Sequence, residues 1–399
     1  MLFSEVIGQT ATKQHLAEMV EHNRISHALL FLAKEGVGGL PLALAFAQYL
    51  VSLPVDAPVV EDLFGGMTAL EPSSGFIPPE RIAEQPAYQR AQQLIHPDLH
   101  FSYPVIPRKP GDKPVSTDYI ADWREFIRQY PYGNAYDWLQ SINAENKQGN
   151  ITAEECNRII HELSLKSFES KYKVLLLWMP EYLGKEGNKL LKLIEEPPAN
   201  TIFILVAESE EAILPTILSR CQLVRIPSLT DAEIEEALIQ RAGADAGKAK
   251  QIAAVAEGNY REALLALQHA DEDWQSLLRE WLNAILKTGP AAQVKFSEDI
   301  SALGREKQKQ FLRYFNHLLE LSIRIRILGE NGVNHDEAEK DFANRLNKIS
   351  SVSQQEAIIE ELDKAAYYIE RNANGKMLFQ ALSIKLYHII QNKTVFLTT

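Results

Sequence analysis

Ala28-Leu29-Leu30-Phe31-Leu32-Ala33-Lys34-Glu35-Gly36-Val37-Gly38-Gly39-Leu40 decides how this chain is read. An apolar run enters a glycine-rich loop, and a helical pattern from Ala43 to Leu50 leaves it. That is the strand–loop–helix setting of a phosphate-binding P-loop, whose motif wants Gly, four residues, then Gly-Lys-Ser/Thr. Ala33 stands at the first glycine, Gly36 lies inside the loop and Gly38 is kept. Gly39 stands where lysine would reach the β- and γ-phosphates, and Leu40 where a hydroxyl would hold Mg²⁺. The cradle is expected, and the groups that would do chemistry in it are missing.

Two further runs, Val174-Leu175-Leu176-Leu177 and Ile202-Phe203-Ile204-Leu205-Val206, are short, fully apolar and bounded by polar residues. Such runs mark buried parallel strands. Between them, residues 188–196 read as a helix stopped by Pro197-Pro198. Strands alternating with helices predict an α/β layer fold. A working P-loop ATPase also needs acidic residues just after the second strand. This chain has Trp178-Met179-Pro180-Glu181 there, so a second set of groups is absent. Two independent losses argue against ATP hydrolysis by this chain.

Residues 51–150 are rich in Pro and Gly and read as an insertion. Within it, 119–130 and 135–142 are amphipathic, and His96-Pro97-Asp98 reads as a loop entering a strand at 101–105. Pro97 argues against His96 and His100 sharing a helix face as a metal pair. From Thr230 onward no strand is expected. Thr230 and Glu233 form a capping signature. Trp274, Leu277, Leu278, Trp281, Leu282, Ile285 and Leu286 make one wide apolar helical stripe. Leu378, Leu382, Ile384, Leu386 and Ile389 are expected to close the chain likewise. The expected division is an α/β domain over 1–228, a small helical unit over 229–271 and an all-helical domain over 272–399.

A net charge of -12 argues against a surface built wholly to bind nucleic acid. The basic turn Arg108-Lys109-Pro110-Gly111-Asp112-Lys113 reads as a solvated loop, and the tryptophans as packing residues. The two cysteines, Cys156 and Cys221, suggest neither a disulfide framework nor a metal site. No basic start followed by an apolar segment marks a secretory signal, and no apolar run approaches the ~20 residues needed to span a bilayer. The chain reads as cytoplasmic, without a membrane partner.

Ser219-Arg220-Cys221 follows Leu214-Pro215-Thr216-Ile217-Leu218. Arginine suits a phosphate because its charge is permanent and its fork matches phosphate oxygens. The stretch from Asn188 through Glu195-Glu196-Pro197-Pro198 to Ser219-Arg220-Cys221 resembles bacterial clamp-loader subunits of the AAA+ class. Ile7-Gly8-Gln9 and Arg24-Ile25-Ser26-His27-Ala28 resemble the family's adenine-side segment. Gly258-Asn259-Tyr260-Arg261-Glu262-Ala263 resembles its sensor-2 segment, and Asn372-Ala373-Asn374 part of its collar.

The resemblance implies a RecA-like α/β P-loop domain, a helical lid and an all-α oligomerisation collar. It implies that Arg220, flanked by Ser219 and Cys221, is an arginine finger acting in trans. The recipient would be the ATP of a gamma/tau-type motor subunit. A delta subunit would be a further partner, with the sliding clamp and primed DNA reached through the assembled complex. Arg261 would belong to this chain's own dead site, where a structural salt bridge is expected. An atypical but active ATPase subunit is the alternative. The family often carries a zinc knuckle after the P-loop helix. Phe64, Met67 and Leu70 have the spacing of three of its ligands, and Phe and Leu cannot bind Zn²⁺. No zinc and no hydrolysed ATP are expected, while weak nucleotide binding stays open.

Overall fold

A computed structural model describes residues 1–54, 60–61, 67–68, 77–109, 111–144, 147–268, 274–329, 337–370 and 373–391. Phe64, Leu70, Pro110 and Asn372 lie outside these residues, and so does the side chain of Met67. The chain divides into two compact units, Met1–Leu267 and Gln268–Thr399.

Five strands form the central sheet of the first unit: β1 (Ala28–Ala33), β2 (Leu99–Ser102), β3 (Lys173–Trp178), β4 (Thr201–Ala207) and β5 (Gln222–Ile226). Their spatial order is β2-β3-β4-β1-β5, and every pairing is parallel. The three apolar runs of the sequence are the three central strands. All residues of β3 and β4 are buried, as a sheet covered on both faces requires. The period-2 alternation sorts them into two cores. Leu29, Phe31, Leu176, Trp178 and Ile204 face one, while Leu30, Leu175, Leu177, Phe203 and Leu205 face the other.

Two strands depart from the expectation. The region read as an insertion supplies an edge strand, β2, at 99–102 rather than 101–105. Strand β5 was not expected at all. Only Val224 and Ile226 of its five residues are buried, so it lacks the apolar run of a central strand.

Helices α1 (Thr10–Glu21) and α2 (Gly39–Ser52) flank β1 in sequence. Every residue of α2 is buried, which fits a helix apolar on almost all sides. Helices α3 (Pro86–Gln92), α4 (Ile120–Gln129) and α5 (Ala135–Ser141) come from the inserted region, and α6 (Ala153–Ser164) precedes β3. The buried ammonium of Lys173 donates to the carbonyls of Glu162 and Leu165, closing the C-terminal end of α6. The helix expected over 188–196 is instead a 3-10 stretch, Pro180–Leu190, turning into the short α7 (Leu191–Glu195). Helix α8 (Pro215–Leu218) leads into β5. Buried Asp98 fastens the loop before β3, accepting from the backbone N–H groups of Phe168, Glu169 and Ser170 at 2.6, 2.9 and 2.9 Å.

Helices α9 (Asp231–Ala242), α10 (Ala246–Val255) and α11 (Tyr260–Gln268) form the lid. The Thr230–Glu233 capping box is present. Ile234, Leu238, Ala249, Ala253 and Ala263 of the lid form a small core that Ile7 and Tyr132 also join.

The second unit contains α12 (Trp274–Asn283), α13 (Pro290–Ala302), α14 (Arg305–Leu328), α15 (Glu337–Ile349), α16 (Val352–Glu370) and α17 (Gly375–Gln391). Trp281 is its centre, stacked on Phe296 at 5.5 Å and donating from Nε1 to Ser383 Oγ at 2.8 Å. Ile384 does not join the buried stripe: it is 54% exposed, and Phe379 takes the inward place. No helix among the described residues is long and apolar enough to cross a membrane.

Candidate functional site

The strand–loop–helix reading of residues 28–50 holds, with the helix running from Gly39 to Ser52 rather than Ala43 to Leu50. Strand β1 ends at Ala33, residues 34–38 make the loop and α2 starts at Gly39. The sheet's strand order switches direction at β1, the crevice where open α/β sheets place ligands. Gly36 and Gly38 take φ of +69° and +102°, a left-handed conformation that favours glycine. Gly39 is needed for a different reason. A Cβ there would stand 2.6 Å from the Cβ of Ala33, closer than two carbons can sit. With alanine at the first-glycine position, any side chain at the lysine position forces Ala33 or the loop backbone to shift.

The space over the loop is filled from two directions. Pro131, Tyr132 and Gly133, between α4 and α5, line the crevice opposite Gly36, Gly38 and Leu40. The Tyr132 ring lies over Gly38, where an added Cβ would be 3.1 Å from ring carbon Cε1. Its hydroxyl accepts from Ile7 N–H at 2.8 Å, and its ring meets Tyr260 edge-on at 5.1 Å. Burial pushes this phenol up to about 12. From the lid side, Tyr260 N–H donates to Gly36 C=O at 3.0 Å. Asn259 packs so closely that a Cβ on Gly36 would overlap its Oδ1 at 1.7 Å. What is left is a cavity of about 20 Å³, room for about one water molecule.

The end of β3, where acidic residues are missing, is also occupied by bulk. Trp178 is buried and packs against Trp123 at 5.2 Å and Phe126 at 5.8 Å, both on α4. Glu181 is turned to another use: its Oε1 accepts from Glu208 N–H at 2.6 Å and Ser209 N–H at 3.0 Å, tying the end of β3 to the end of β4. Burial raises its carboxyl above the usual range, against the lowering effect of those backbone bonds.

Arg261 is 5% exposed and sits among three carboxylates. It donates to Asp137 from Nε at 2.5 Å and from Nη2 at 2.6 Å, to Glu262 at 2.9 Å and to Glu35 at 3.1 Å. Asp137 lies on α5, Glu35 in the loop and Arg261 on the lid, so one guanidinium joins three parts of the unit. Neither Tyr132 nor Asp137 was singled out in the sequence. They lie about a hundred residues from their partners, and a Pro-Tyr-Gly turn carries no signal of what it covers.

Arg220 lies elsewhere. It is 31% exposed, pairs with Glu195 at 3.1 Å and donates to Thr216 C=O at 2.9 Å. Ser219 is exposed and donates to the same carbonyl at 3.2 Å. Cys221 is partly covered, and burial raises its thiol to about 11. Register places Arg220 relative to the loop. Gln222, the first residue of β5, pairs with Leu29 and Ile226 with Ala33, so β5 begins level with a position four residues before the end of β1. At about 3.3 Å per residue the start of β5 is roughly 13 Å from the end of β1 along the strand direction, and Arg220 stands in the turn just before β5. Arg220 and the loop lie at opposite ends of the parallel strands.

Among the remaining candidates, Arg108 lies over the Tyr119 ring at 4.5 Å and donates to Asp118 C=O at 2.7 Å, which gives it a packing role. His96 faces Glu169 at 3.2 Å and His100 faces Glu162 at 3.2 Å. Among the described residues no three His, Cys, Asp or Glu side chains gather as a metal site.

Residues 83–230 match the model of a family described as "DNA polymerase III, delta subunit". The DNA polymerase III subunit gamma of Buchnera aphidicola subsp. Acyrthosiphon pisum (strain APS) is 28% identical over 191 residues, 41% of this chain and 53% of that protein. The DNA polymerase III subunit delta' of Bacillus subtilis (strain 168) is 25% identical over 227 residues, 57% of this chain and 50% of that protein. The chain thus spans about half the length of these curated relatives. Among solved structures, a DNA polymerase III gamma subunit-related protein from Thermotoga maritima covers 94% of this chain over 99% of its own, at 14% identity and a TM-score of 0.39.

Proposed function

We propose that this chain, a member of the DNA polymerase III clamp-loader family, is a delta-prime-type subunit that hydrolyses no ATP and lends Arg220 to the ATP site of a gamma/tau-type neighbour. It works in the cytoplasm beside a delta subunit, and meets the sliding clamp and primed DNA through the assembled complex. Four features support a subunit without hydrolysis: Gly39 and Leu40 in the loop, Trp178 at the end of β3, and Tyr132 in the cradle. None of them is the phosphate-binding lysine, the Mg²⁺-holding Ser/Thr hydroxyl or the carboxylate that a working site uses.

The observation that carries the trans role is the separation along the strands. A guanidinium before the start of β5, at the opposite end of the strands from its own loop, meets a γ-phosphate only in another molecule. There it would supply positive charge to the developing transition state, which is worth about 10³–10⁵ in rate where arginine fingers operate. Glu195 and the Thr216 carbonyl hold the side chain until a phosphate competes for it.

The test is a reconstituted loader carrying Arg220→Ala, with assembly checked by size-exclusion chromatography. Hydrolysis at the neighbouring site is expected to fall by at least about a hundredfold while the complex still assembles. Unchanged clamp- and DNA-stimulated hydrolysis in an intact complex would refute the role. Micromolar Mg²⁺-dependent ATP binding by the isolated chain would favour an active, atypical ATPase subunit instead.

A further inference from the structure

We propose that residues 131–137 are an internal stand-in for a nucleotide: they fill the loop's cradle and hold the lid closed on it with no ligand present. Ligand-driven closure works because the ligand touches both sides of a hinge and favours the closed state. Here the segment makes both sets of contacts. On the base side, the Tyr132 ring covers Gly38 and its hydroxyl takes the Ile7 N–H. On the lid side, the same ring meets Tyr260 and Asp137 takes two N–H groups of Arg261. An aromatic ring and an anion five residues apart thus span the crevice from loop to lid.

The charge pattern points the same way. Arg261 is almost fully buried, and a buried guanidinium must be neutralised by a partner. Asp137 provides that negative charge from the inserted segment, and Glu35 provides more from the loop. The carboxylate is itself fixed, because it also accepts from Asn134 N–H in the capping box at the start of α5. Trp123 and Phe126, packed on Trp178, anchor α4 and so set where the turn at 131–133 falls. The loss of the catalytic groups and the presence of the insertion are two sides of one arrangement: the insertion occupies what the missing groups vacated.

Hydrogen–deuterium exchange on the full chain tests this, using wild type, Asp137→Asn and Tyr132→Ala. Both variants are expected to exchange at least tenfold faster at residues 36–38 and through α9, α10 and α11. Strands β1 and β4 and helices α12–α17 should keep their wild-type rates. Unchanged lid exchange in both variants would overturn the proposal. Uniform acceleration across the sheet would also overturn it, since the segment would then serve folding and not closure. Should Tyr132→Ala fail to fold, Asp137→Asn decides alone, because it keeps the shape of the side chain. Added Mg-ATP is expected to leave wild-type lid exchange unaltered, and protection by it would overturn the idea that the cradle is already filled. Arg220 has no part in these contacts, so this result and that of the reconstituted loader are independent.

Discussion

The contact between Ala33 and Gly39 explains why the degenerate loop is not one lysine short of working. With 2.6 Å between their Cβ positions, a side chain at 39 meets Ala33 before it meets any phosphate. Gly39→Lys is therefore expected to destabilise the first unit by about 1–3 kcal/mol, the usual range for overpacking. It should confer no ATP affinity. Adding Ala33→Gly should recover most of the loss, and urea unfolding followed by tryptophan fluorescence would measure both steps. Greater stability for the single variant would show that the loop relaxes freely. At this scale the sequence was informative about what is absent: Gly39, Leu40 and Trp178 are read directly as missing groups. It was silent about what fills the space, because Tyr132 and Asp137 act through long-range contacts that no local pattern encodes.

Among the elements, β1, β3 and β4 were legible because a central parallel strand is apolar on both faces and leaves a continuous run. The edge strands were not. Strand β2, Leu-His-Phe-Ser, is short and half polar, and β5 exposes Gln222, Leu223 and Arg225. The ends of the central strands carry a partly buried acid whose cost can be measured. Glu181 has a raised pKa in the folded chain, so the folded state holds its proton to higher pH than the unfolded one. Stability from this group is greatest below the ordinary value of 4.5 and is lost as pH rises through the folded pKa. Glu181→Gln keeps an oxygen to accept from Glu208 and Ser209. The variant is expected to be more stable than wild type at pH 7, with the difference vanishing below about pH 4.5. Thermal unfolding across that range checks the sign; a less stable variant at pH 7 would mean that the charge is favoured where it sits.

At the scale of the molecule, the two units have separate hydrophobic cores, those of the first on the two faces of the sheet and under the lid, that of the second around Trp281. Trp281→Ala is expected to cost the helical unit about 3–5 kcal/mol, typical of deleting a buried tryptophan. Exchange in β1, β3 and β4 should stay unchanged, and its acceleration would show that the units unfold together. The opposite placement of Arg220 and the loop along parallel strands also gives the first unit a polarity. A head-to-tail array repeats one donor face against one acceptor face. Under the proposed function this chain has the donor face, and its acceptor face is blank. It can follow a nucleotide-bearing neighbour in such an array, but nothing that depends on feeding charge into an ATP can follow it. The array gains a fixed terminus, and the terminus is written into the direction of the strands.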